Sequence, residues 1–215
     1  MSKLKFNISM SLDGYVAGPN QSVENGLGEG GEQLHEWVVK LKAFREMHGD
    51  GGGGETGTND DVLREAFENI GATIMGRNMF GGGPGPWGNE PWNGWWGDNP
   101  PFHTSVFVLT HHAREPLVMQ GGTTFFFVTD GIESALRQAK EAAGGQDISL
   151  GGGAKAAQQY LAAGLIEEME LHVVPLLLGG GERLLDNIGS DVTLEPIRTL
   201  EGPGVAHLKY RVVKG

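Results

Sequence analysis

The positions of hydrophobic residues along the chain predict an alternation of strands and helices. Residues 3–12 alternate between polar and apolar with a period of two, which places Leu4, Phe6, Ile8 and Met10 on one face of a strand. Short apolar runs bounded by turn residues are typical of buried strands. Such runs, together with a final alternating segment, occur at 72–76, 105–110, 123–129, 147–150, 166–178 and 207–213.

Other segments carry their hydrophobic residues at the spacing of a helix. In residues 32–47, the side chains of Leu34, Trp37, Val38 and Leu41 fall on one stripe of such a helix. The same spacing predicts further helices at 60–70, 130–143 and 155–164.

The order of these elements predicts an α/β fold. Strands separated by helices imply right-handed crossovers, a mostly parallel central sheet and helices on both of its faces. The last two strands have no helix between them, so we expect an antiparallel pair at one edge. The glycine-rich stretch 49–58 lies between two helices that both carry an apolar stripe. We therefore interpret residues 1–215 as one domain that contains an insertion.

Composition narrows the class of protein. Hydrophobic residues make up 39% of the 215 residues, and no apolar run is long enough to span a membrane. The absence of cysteine excludes disulfides, thiolate metal sites and a cysteine nucleophile. A formal net charge of −11 argues against general binding to nucleic acid or to an anionic membrane. We predict a cytoplasmic protein that binds a small molecule and no metal.

Residues suited to an anion follow three of the predicted strands. Gly151–Gly153 lead into the helix at 155–164, and the N-terminus of a helix offers unpaired N–H groups and partial positive charge. Gly76–Asn78 follow the strand at 72–76 and include Arg77. Ligands of open α/β sheets gather at these strand ends. The alternatives are a tight packing turn for the glycines and a solvated side chain for Arg77.

A third strand ends in Thr110, His111 and His112, with Arg114 close behind. Adjacent side chains of a strand point to opposite faces, so the two histidines do not favour a shared metal ion. A second basic group beside the first is the better interpretation.

These features occur together in one known family. Its motifs are matched in family order by 8–18 (ISMSLDGYVAG), 73–80 (TIMGRNMF), 106–111 (VFVLTH), 148–161 (ISLGGGAKAAQQYL) and 170–185 (ELHVVPLLLGGGERLL). The chain therefore resembles the dihydrofolate reductase superfamily, and within it the reductase domain of bifunctional riboflavin-biosynthesis deaminase-reductases. The resemblance implies a sheet of about eight strands, NADPH as cofactor, hydride transfer to a small heterocycle (a pterin, a pyrimidine or a related ring), and a homodimer.

The resemblance also implies a cofactor site. Gly152, Gly153 and Ala154 would hold the pyrophosphate, Arg77 the 2′-phosphate, and Thr110 with His111 the adenosine. The full set of implied cofactor residues is Val16, Ala17, Gly76, Arg77, Asn78, Thr110, His111, Gly152, Gly153, Ala154, Leu178, Gly179 and Gly180. For Leu178–Gly180, a simple hairpin bend is an equally weighted alternative.

The sequence departs from the family at the position of the proton donor. Folate reduction uses a carboxylate early in the first helix, and Gln33 occupies that position here. Glu32, Glu36 and Asp13 are the candidate acids, each with a structural alternative: solvated carboxylates for the two glutamates and a turn residue for Asp13. The departure keeps open a second function, a nicotinamide-nucleotide-binding protein of the same fold without turnover.

The insert at 85–105 contains four of the five tryptophans of the chain. Trp92, Trp95 and Trp96 are candidates for stacking on a flat heterocyclic substrate. Two other interpretations stay open: a cluster that orders a long loop, and a contact between subunits.

Overall fold

The structure is a computed structural model that describes residues 2–88 and 92–214. Its strands are β1 (Leu4–Ser11), β2 (Tyr15–Ala17), β3 (Ile70–Gly76), β4 (Ser105–Leu109), β5 (Leu117–Val118), β6 (Thr124–Val128), β7 (Asp147–Gly152), β8 (Glu168–Val174), β9 (Glu182–Arg183), β10 (Val192–Gly202) and β11 (Val205–Lys214). Its α-helices are α1 (Lys42–Met47), α2 (Thr58–Phe67), α3 (Arg77–Phe80), α4 (Ile132–Ala142) and α5 (Ala154–Ala162), and short 3-10 helices cover Gly31–His35 and Gln120–Gly122.

Nine strands form the main sheet in the order β10-β11-β8-β1-β7-β3-β4-β6-β5. The six strands from β8 to β6 run parallel, while β5 and β11 pair antiparallel with their inner neighbours. β2 and β9 form a separate two-stranded pair. The mostly parallel sheet predicted from the element order is confirmed, with nine strands in place of about eight.

The two faces of β1 show how the helices are distributed. Leu4 and Phe6 are buried in a cluster with residues of α4 and α5, including Tyr160. Ser9 points to the other face, where its Oγ accepts a hydrogen bond from the indole N–H of Trp37 over 3.0 Å. Ala43 of α1 and Leu63 of α2 belong to one cluster with Trp37, so helices cover both faces, as the sequence predicts. No helix in the described residues is both long and apolar enough to cross a membrane.

The segment 32–47 is not one continuous helix. It forms the 3-10 helix, a turn, and then α1, because Leu41 is extended (φ −72°, ψ 147°) and forms a bridge with Glu55. Lys42 N–H donates to Glu55 O and Glu55 N–H donates to Lys40 O, each over 2.9 Å. A distant segment thus takes the backbone groups that a continuous helix would use. The apolar stripe remains buried all the same.

The hydrophobic pattern does not predict four of the strands. β2, β5 and β9 are three, two and two residues long, too short to show a period. β10 is longer, but Pro196 interrupts its alternation and the ladder with β11 shifts between Pro196 and Arg198. Proline is tolerated in a sheet at an edge strand or a bulge, and β10 provides both.

Candidate functional site

The strands β1 and β7 stop pairing before they reach their carboxyl ends. The ladder between β1 and β7 ends at Phe6–Leu150, whereas β1 continues beside β8 as far as Ser11–Val174. We call the space between residues 7–11 of β1 and the end of β7 the β1–β7 cleft. In open α/β sheets, ligands bind at such carboxyl ends.

The glycines at the end of β7 leave one wall of this cleft open. Gly152 has φ +119°, a conformation that favours glycine, and the Gly152–Gly153 peptide is cis. A Cβ added at Gly153 would meet nothing within 4 Å. Gly153 is the N-cap of α5, whose first turn carries no acidic residue. The first N–H groups of a helix have no intrahelical partner, so this corner can accept a phosphate.

The end of β3 lies directly beside the end of β7. A Cβ added at Gly76 would lie 3.3 Å from the Cβ of Ala156 and 3.6 Å from the N of Gly153. The structure therefore brings Gly76, Gly152, Gly153 and Ala154 together, as the sequence predicts. Asn78 is exposed nearby on α3.

Arg77 turns its guanidinium into the loop that follows α3. Its Nε donates to Gly81 O over 3.0 Å, and its Nη2 donates to Gly83 O over 3.1 Å. Its Cζ lies 3.2 Å from the centroid of the Trp87 ring, a cation–π contact. Nη1 is buried and has no hydrogen-bond partner among the described residues. A buried cationic donor without an acceptor is costly.

A second arginine contacts the same ring. The Cζ of Arg114 lies 4.9 Å from the centroid of Trp87, and its Nη1 donates to Trp92 O over 2.5 Å. The pKa of Arg77 is lowered, first by burial and then by the charge of Arg114. Trp87 thus holds two positive charges close together. Sequence reasoning did not include Trp87 in the site, because no pattern shows which of the clustered tryptophans meets the arginines.

The segment that follows β4 is hydrogen-bonded to Trp87. The indole N–H of Trp87 donates to His112 O over 2.9 Å, and the Oγ1 of Thr110 accepts the N–H of His112 over 3.2 Å. Thr110 is buried and His111 is exposed. Trp87 therefore links the segment that follows β4, which includes His112, to the two arginines.

The second glycine run packs against β2. A Cβ added at Gly181 would lie 2.0 Å from Ala17 O, and Ala17 pairs with Glu182 in the short ladder. Val16 and Ala17 are both buried. Gly179 and Gly180 are open, because an added Cβ would meet no atom closer than 4.0 Å.

Asp13 connects these segments. Its carboxylate accepts hydrogen bonds from Ser11 Oγ over 2.6 Å and from the N–H groups of Leu178 and Gly179 over 3.1 and 2.8 Å. The hydroxyl of Ser11 is the main cause of a pKa below the ordinary 3.8, with the two N–H groups adding to it. A carboxylate held ionised in this way suits the structural alternative better than the role of a proton donor.

Glu32 and Glu36 are both exposed, on the 3-10 helix and just after it. Gln33, at the position of the family acid, is also exposed, and its Nε2 donates to Gly30 O over 3.3 Å. Neither glutamate is buried away from solvent. The geometry favours the solvated alternative for both.

The tryptophans of the insert mainly pack together. The rings of Trp92 and Trp95 lie 4.6 Å apart, and the indole N–H of Trp92 donates to Phe80 O over 2.7 Å. Trp96 packs on Phe102, and both belong to the cluster around Phe125. This packing supports the interpretation that the tryptophans order a long loop. The segment 89–91 lies outside the described residues.

Sequence reasoning missed a buried polar cluster beside the cleft. The Nδ1 atoms of His172 and His207 are 2.8 Å apart, and His207 Nε2 lies 3.0 Å from Asn59 Oδ1. The Trp37 ring centroid is 5.0 Å from that of His172 and 5.2 Å from that of His207. The available signal was one histidine within each of two strands expected to neighbour one another. No group of three or more His, Cys, Asp or Glu residues suited to a metal occurs in the described part of the chain.

Comparisons with known proteins agree with this geometry. A search among curated proteins finds no match. Among solved structures, a protein from Shewanella sp. PV-4 named for riboflavin biosynthesis is 22% identical with a TM-score of 0.60, and each chain is covered in full. A dihydrofolate reductase from Enterococcus faecalis, complexed with NADP(H) and RAB-propyl, is 13% identical with a TM-score of 0.53, over 98% of this chain and 96% of that one.

A third structure comes from a longer protein. The diaminohydroxyphosphoribosylaminopyrimidine deaminase and 5-amino-6-(5-phosphoribosylamino)uracil reductase of Thermotoga maritima is 13% identical with a TM-score of 0.58. The match covers 99% of this chain and 57% of that chain. The model of the family described as the RibD C-terminal domain matches residues 2–207. On this evidence of sequence and fold, the chain belongs to the RibD C-terminal domain family.

Proposed function

We propose that this protein is an NADPH-dependent reductase that transfers a hydride to a small heterocycle of the pyrimidine or pterin class. The observation that carries the proposal is the pair of guanidinium groups of Arg77 and Arg114, which are held on one tryptophan ring beside the open end of β7. Family membership supports an oxidoreductase. A cytoplasmic location remains a prediction.

The residues present fit a dinucleotide with an added phosphate. Gly153 and the first turn of α5 would hold the pyrophosphate, because nothing within 4 Å of a Cβ at Gly153 blocks the approach. Arg77 and Arg114 would meet the 2′-phosphate, and this charge pairing favours NADPH over NADH. Val16 and Ala17, buried beside the second glycine run, would line the nicotinamide. The bound cofactor would supply the hydride.

The reaction also requires that the protein binds the flat ring of the substrate in the β1–β7 cleft and that a proton reaches this ring. Asp13 is already committed as an acceptor of three hydrogen bonds. Glu32 and Glu36 are exposed. A proton taken from solvent along the cleft is therefore the route we propose, with the glutamates as the side chains closest in sequence to the family position.

The second candidate is a protein of the same fold that binds NADPH without turnover. The observation favouring it is the exposed Gln33 at the position of the family acid, with no acidic side chain of the described 3-10 helix buried. Loss of nicotinamide absorbance on adding a pyrimidine or pterin would decide between the two.

We also propose a homodimer. Leu12 and Leu177 are 65% and 72% exposed, and they lie on segments joined by the hydrogen bond from Leu12 N–H to Leu176 O. Exposed leucines side by side suit a subunit contact. Light scattering of the full chain tests this directly, and a monomeric mass at micromolar concentration would contradict it.

The first experiment on the proposed function is a parallel fluorescence titration with NADPH and NADH. We expect tighter binding of NADPH, and a loss of about tenfold or more in Arg77→Ala, since charge-assisted hydrogen bonds are the strong ones. NADH binding should change much less. Arg137→Ala, on the exposed face of α4, is the matched control. Equal affinity for the two nucleotides, or no binding of either, would overturn the cofactor assignment.

A further inference from the structure

We propose that His172 presents its Nε2 as a fixed hydrogen-bond acceptor to the heterocyclic substrate, and that His207 and Asn59 hold His172 in the required tautomer. The proposal rests on the proposed function for the identity of the ligand. Its structural half, the tautomer of His172, can be tested without any ligand.

The tautomer follows from a chain of hydrogen bonds that starts at a carbonyl. Pro203 O can only accept, so the group of Asn59 that lies 3.1 Å from it is the amide Nδ2. The Oδ1 of Asn59 is then the acceptor that faces His207 Nε2 over 3.0 Å, and this nitrogen must carry the proton. A neutral imidazole has one N–H, so His207 Nδ1 is a lone pair.

The last link fixes His172. The Nδ1 atoms of His172 and His207 are 2.8 Å apart, and one of them must donate. Since His207 Nδ1 accepts, His172 Nδ1 carries the proton and His172 Nε2 is left with the lone pair. Gly202 packs closely against the amide group of Asn59. A Cβ at Gly202 would lie 1.6 Å from Asn59 Oδ1, so no larger residue fits at this position.

Both histidines stay neutral near pH 7. Burial is the main cause that lowers the pKa of His172 to about 3 and that of His207 to about 4. The charge of Arg198 lowers the pKa of both, and His35 adds to the effect on His172. The pKa of His35 is itself lowered by burial. His172 Nε2 is therefore an acceptor and not a donor at neutral pH.

The location of His172 places it at the cleft. His172 is the register partner of Ser9, which lies in the part of β1 that no longer pairs with β7. Adjacent strands are about 4.8 Å apart, so the imidazole stands one strand from the opening. Trp37 packs on both histidine rings and donates to Ser9 Oγ, which fixes the orientation of the group.

His172 Nε2 makes no hydrogen bond to a described residue, and His172 keeps 5% of its surface exposed. The lone pair of this nitrogen is therefore free to accept a hydrogen bond, and in this proposal the donor is an N–H group of the ligand.

Ser9 completes the recognition. Its Oγ accepts from Trp37, so its hydroxyl proton remains to be donated. A donor at Ser9 next to an acceptor at His172 complements a ring edge that carries C=O beside N–H, as in a pyrimidinone or a pterin lactam. A ring with a methylated nitrogen at that edge would leave His172 Nε2 without its donor.

The structural half is tested by ¹⁵N–¹H correlation spectra of the imidazoles in the full-length protein at pH 7. We expect His172 protonated at Nδ1 only and His207 protonated at Nε2 only, with the signals assigned from His172→Gln and His207→Gln. Asn59→Leu should allow the tautomers to mix. Asn59→Asp, whose carboxylate still accepts from His207, should preserve them. A proton on His172 Nε2 in the unsubstituted protein would overturn the proposal whatever the ligand.

The ligand half is tested with 5,6-diaminouracil and its 1-methyl and 3-methyl derivatives, titrated into protein saturated with NADP⁺. We expect one of the methyl derivatives to bind about tenfold or more weakly, since an unsatisfied buried acceptor is costly. His172→Phe should remove this preference and leave NADP⁺ affinity unchanged. The control is His48→Phe, which changes the residue that follows α1 and stacks on Phe44, and this variant should keep the preference.

The outcomes separate the two proposals. Binding of NADP⁺ with no preference among the uracils, or a preference that survives His172→Phe, overturns the role of His172 and leaves the cofactor assignment intact. No binding of any uracil overturns the substrate edge inferred here. Failure to bind NADP⁺ or NADPH overturns the proposed function, while the tautomers of His172 and His207 still stand or fall on the spectra.

Discussion

The backbone N–H of Gly179 donates to the carboxylate of Asp13 over 2.8 Å, across 166 positions of the chain. This bond, with that from Leu178, fastens the second glycine run to the turn between β1 and β2. Together with the β2–β9 pairing, this carboxylate sets the position of the second glycine run relative to Val16 and Ala17, the residues proposed to line the nicotinamide.

Replacing Asp13 by asparagine keeps the shape and removes the charge. We expect a lower melting temperature and weaker NADPH binding for Asp13→Asn, because an amide can accept from only one side while presenting N–H groups to the other donors. Thermal unfolding and a nucleotide titration measure the two effects. Asp186→Asn, an exposed carboxylate paired with Arg183, is the control and should change neither. An unchanged melting temperature together with an unchanged NADPH affinity in Asp13→Asn would contradict this role of the carboxylate.

The pH dependence follows from the lowered pKa of Asp13. The group contributes stability above its unfolded pKa, and this contribution is lost as the pH falls through the lower pKa of the folded state. The melting temperatures of the unsubstituted protein and of Asp13→Asn should therefore converge below about pH 3.8, the ordinary aspartate value.

Gly153 offers a test of the phosphate corner that leaves the fold intact. An added Cβ meets nothing within 4 Å, and the backbone at Gly153 (φ −76°, ψ −166°) accepts other residues. We expect Gly153→Asp to keep its melting temperature and to lose NADPH affinity by tenfold or more (~1.4 kcal/mol), because a carboxylate would repel the pyrophosphate. Gly153→Ala should have a much smaller effect. If aspartate and alanine weaken binding equally, sterics and not charge governs the corner.

Trp87 holds the two arginines. Trp87→Leu removes a cation–π contact of about 1 kcal/mol and the hydrogen bond to His112 O, and Arg77 should lose its fixed position. We expect the affinity for NADPH to fall about fivefold, with NADH much less affected. Trp95→Leu, which contacts Trp92 and neither arginine, serves as the comparison. An unchanged preference for NADPH in Trp87→Leu would remove Trp87 from the site.

The buried histidines predict an acid-sensitive fold. Their folded pKa values of about 3 and 4 lie below the ordinary 6.5, so the unfolded chain binds more protons between these limits. Stability should fall as the pH drops from about 6.5 to about 4, by up to ~1.4 kcal/mol per pH unit for each histidine. Urea unfolding across this range measures the slope. The double variant His172→Gln with His207→Gln should flatten it, and an equal slope in both proteins would contradict the assignment.

The sequence predicts the parts of this molecule that depend on local spacing. The period of β1, the apolar stripes of the helices and the glycines that end β7 are all visible within short windows, and the sheet follows from their order. The break at Leu41 is not visible, because its cause is Glu55 in another segment. For the same reason, no short stretch of the sequence indicates that Trp87 is the ring that contacts both arginines.

The contact between His172 and His207 depends on residues that are still farther apart in the chain. Their contact requires that β8 and β11 pair in one register, with His172 opposite His207, and a shift of one residue would place them on opposite faces. Asp13 shows a related limit. The sequence marks it as a candidate, but its role as an acceptor depends on the N–H groups of Leu178 and Gly179, in the segment that follows β8.

The bridge between Leu41 and Glu55 also has a consequence for engineering. The two hydrogen bonds of Glu55 close the base of the loop that starts after α1, and Cβ atoms at Gly51, Gly52 and Gly53 would meet nothing within 4 Å. Each doubling of a loop's length costs only about 0.6 kcal/mol of closure entropy, so this loop can be lengthened cheaply. A peptide tag or a fluorophore inserted at Gly52 would be separated by a closed base from the segments that build the cleft.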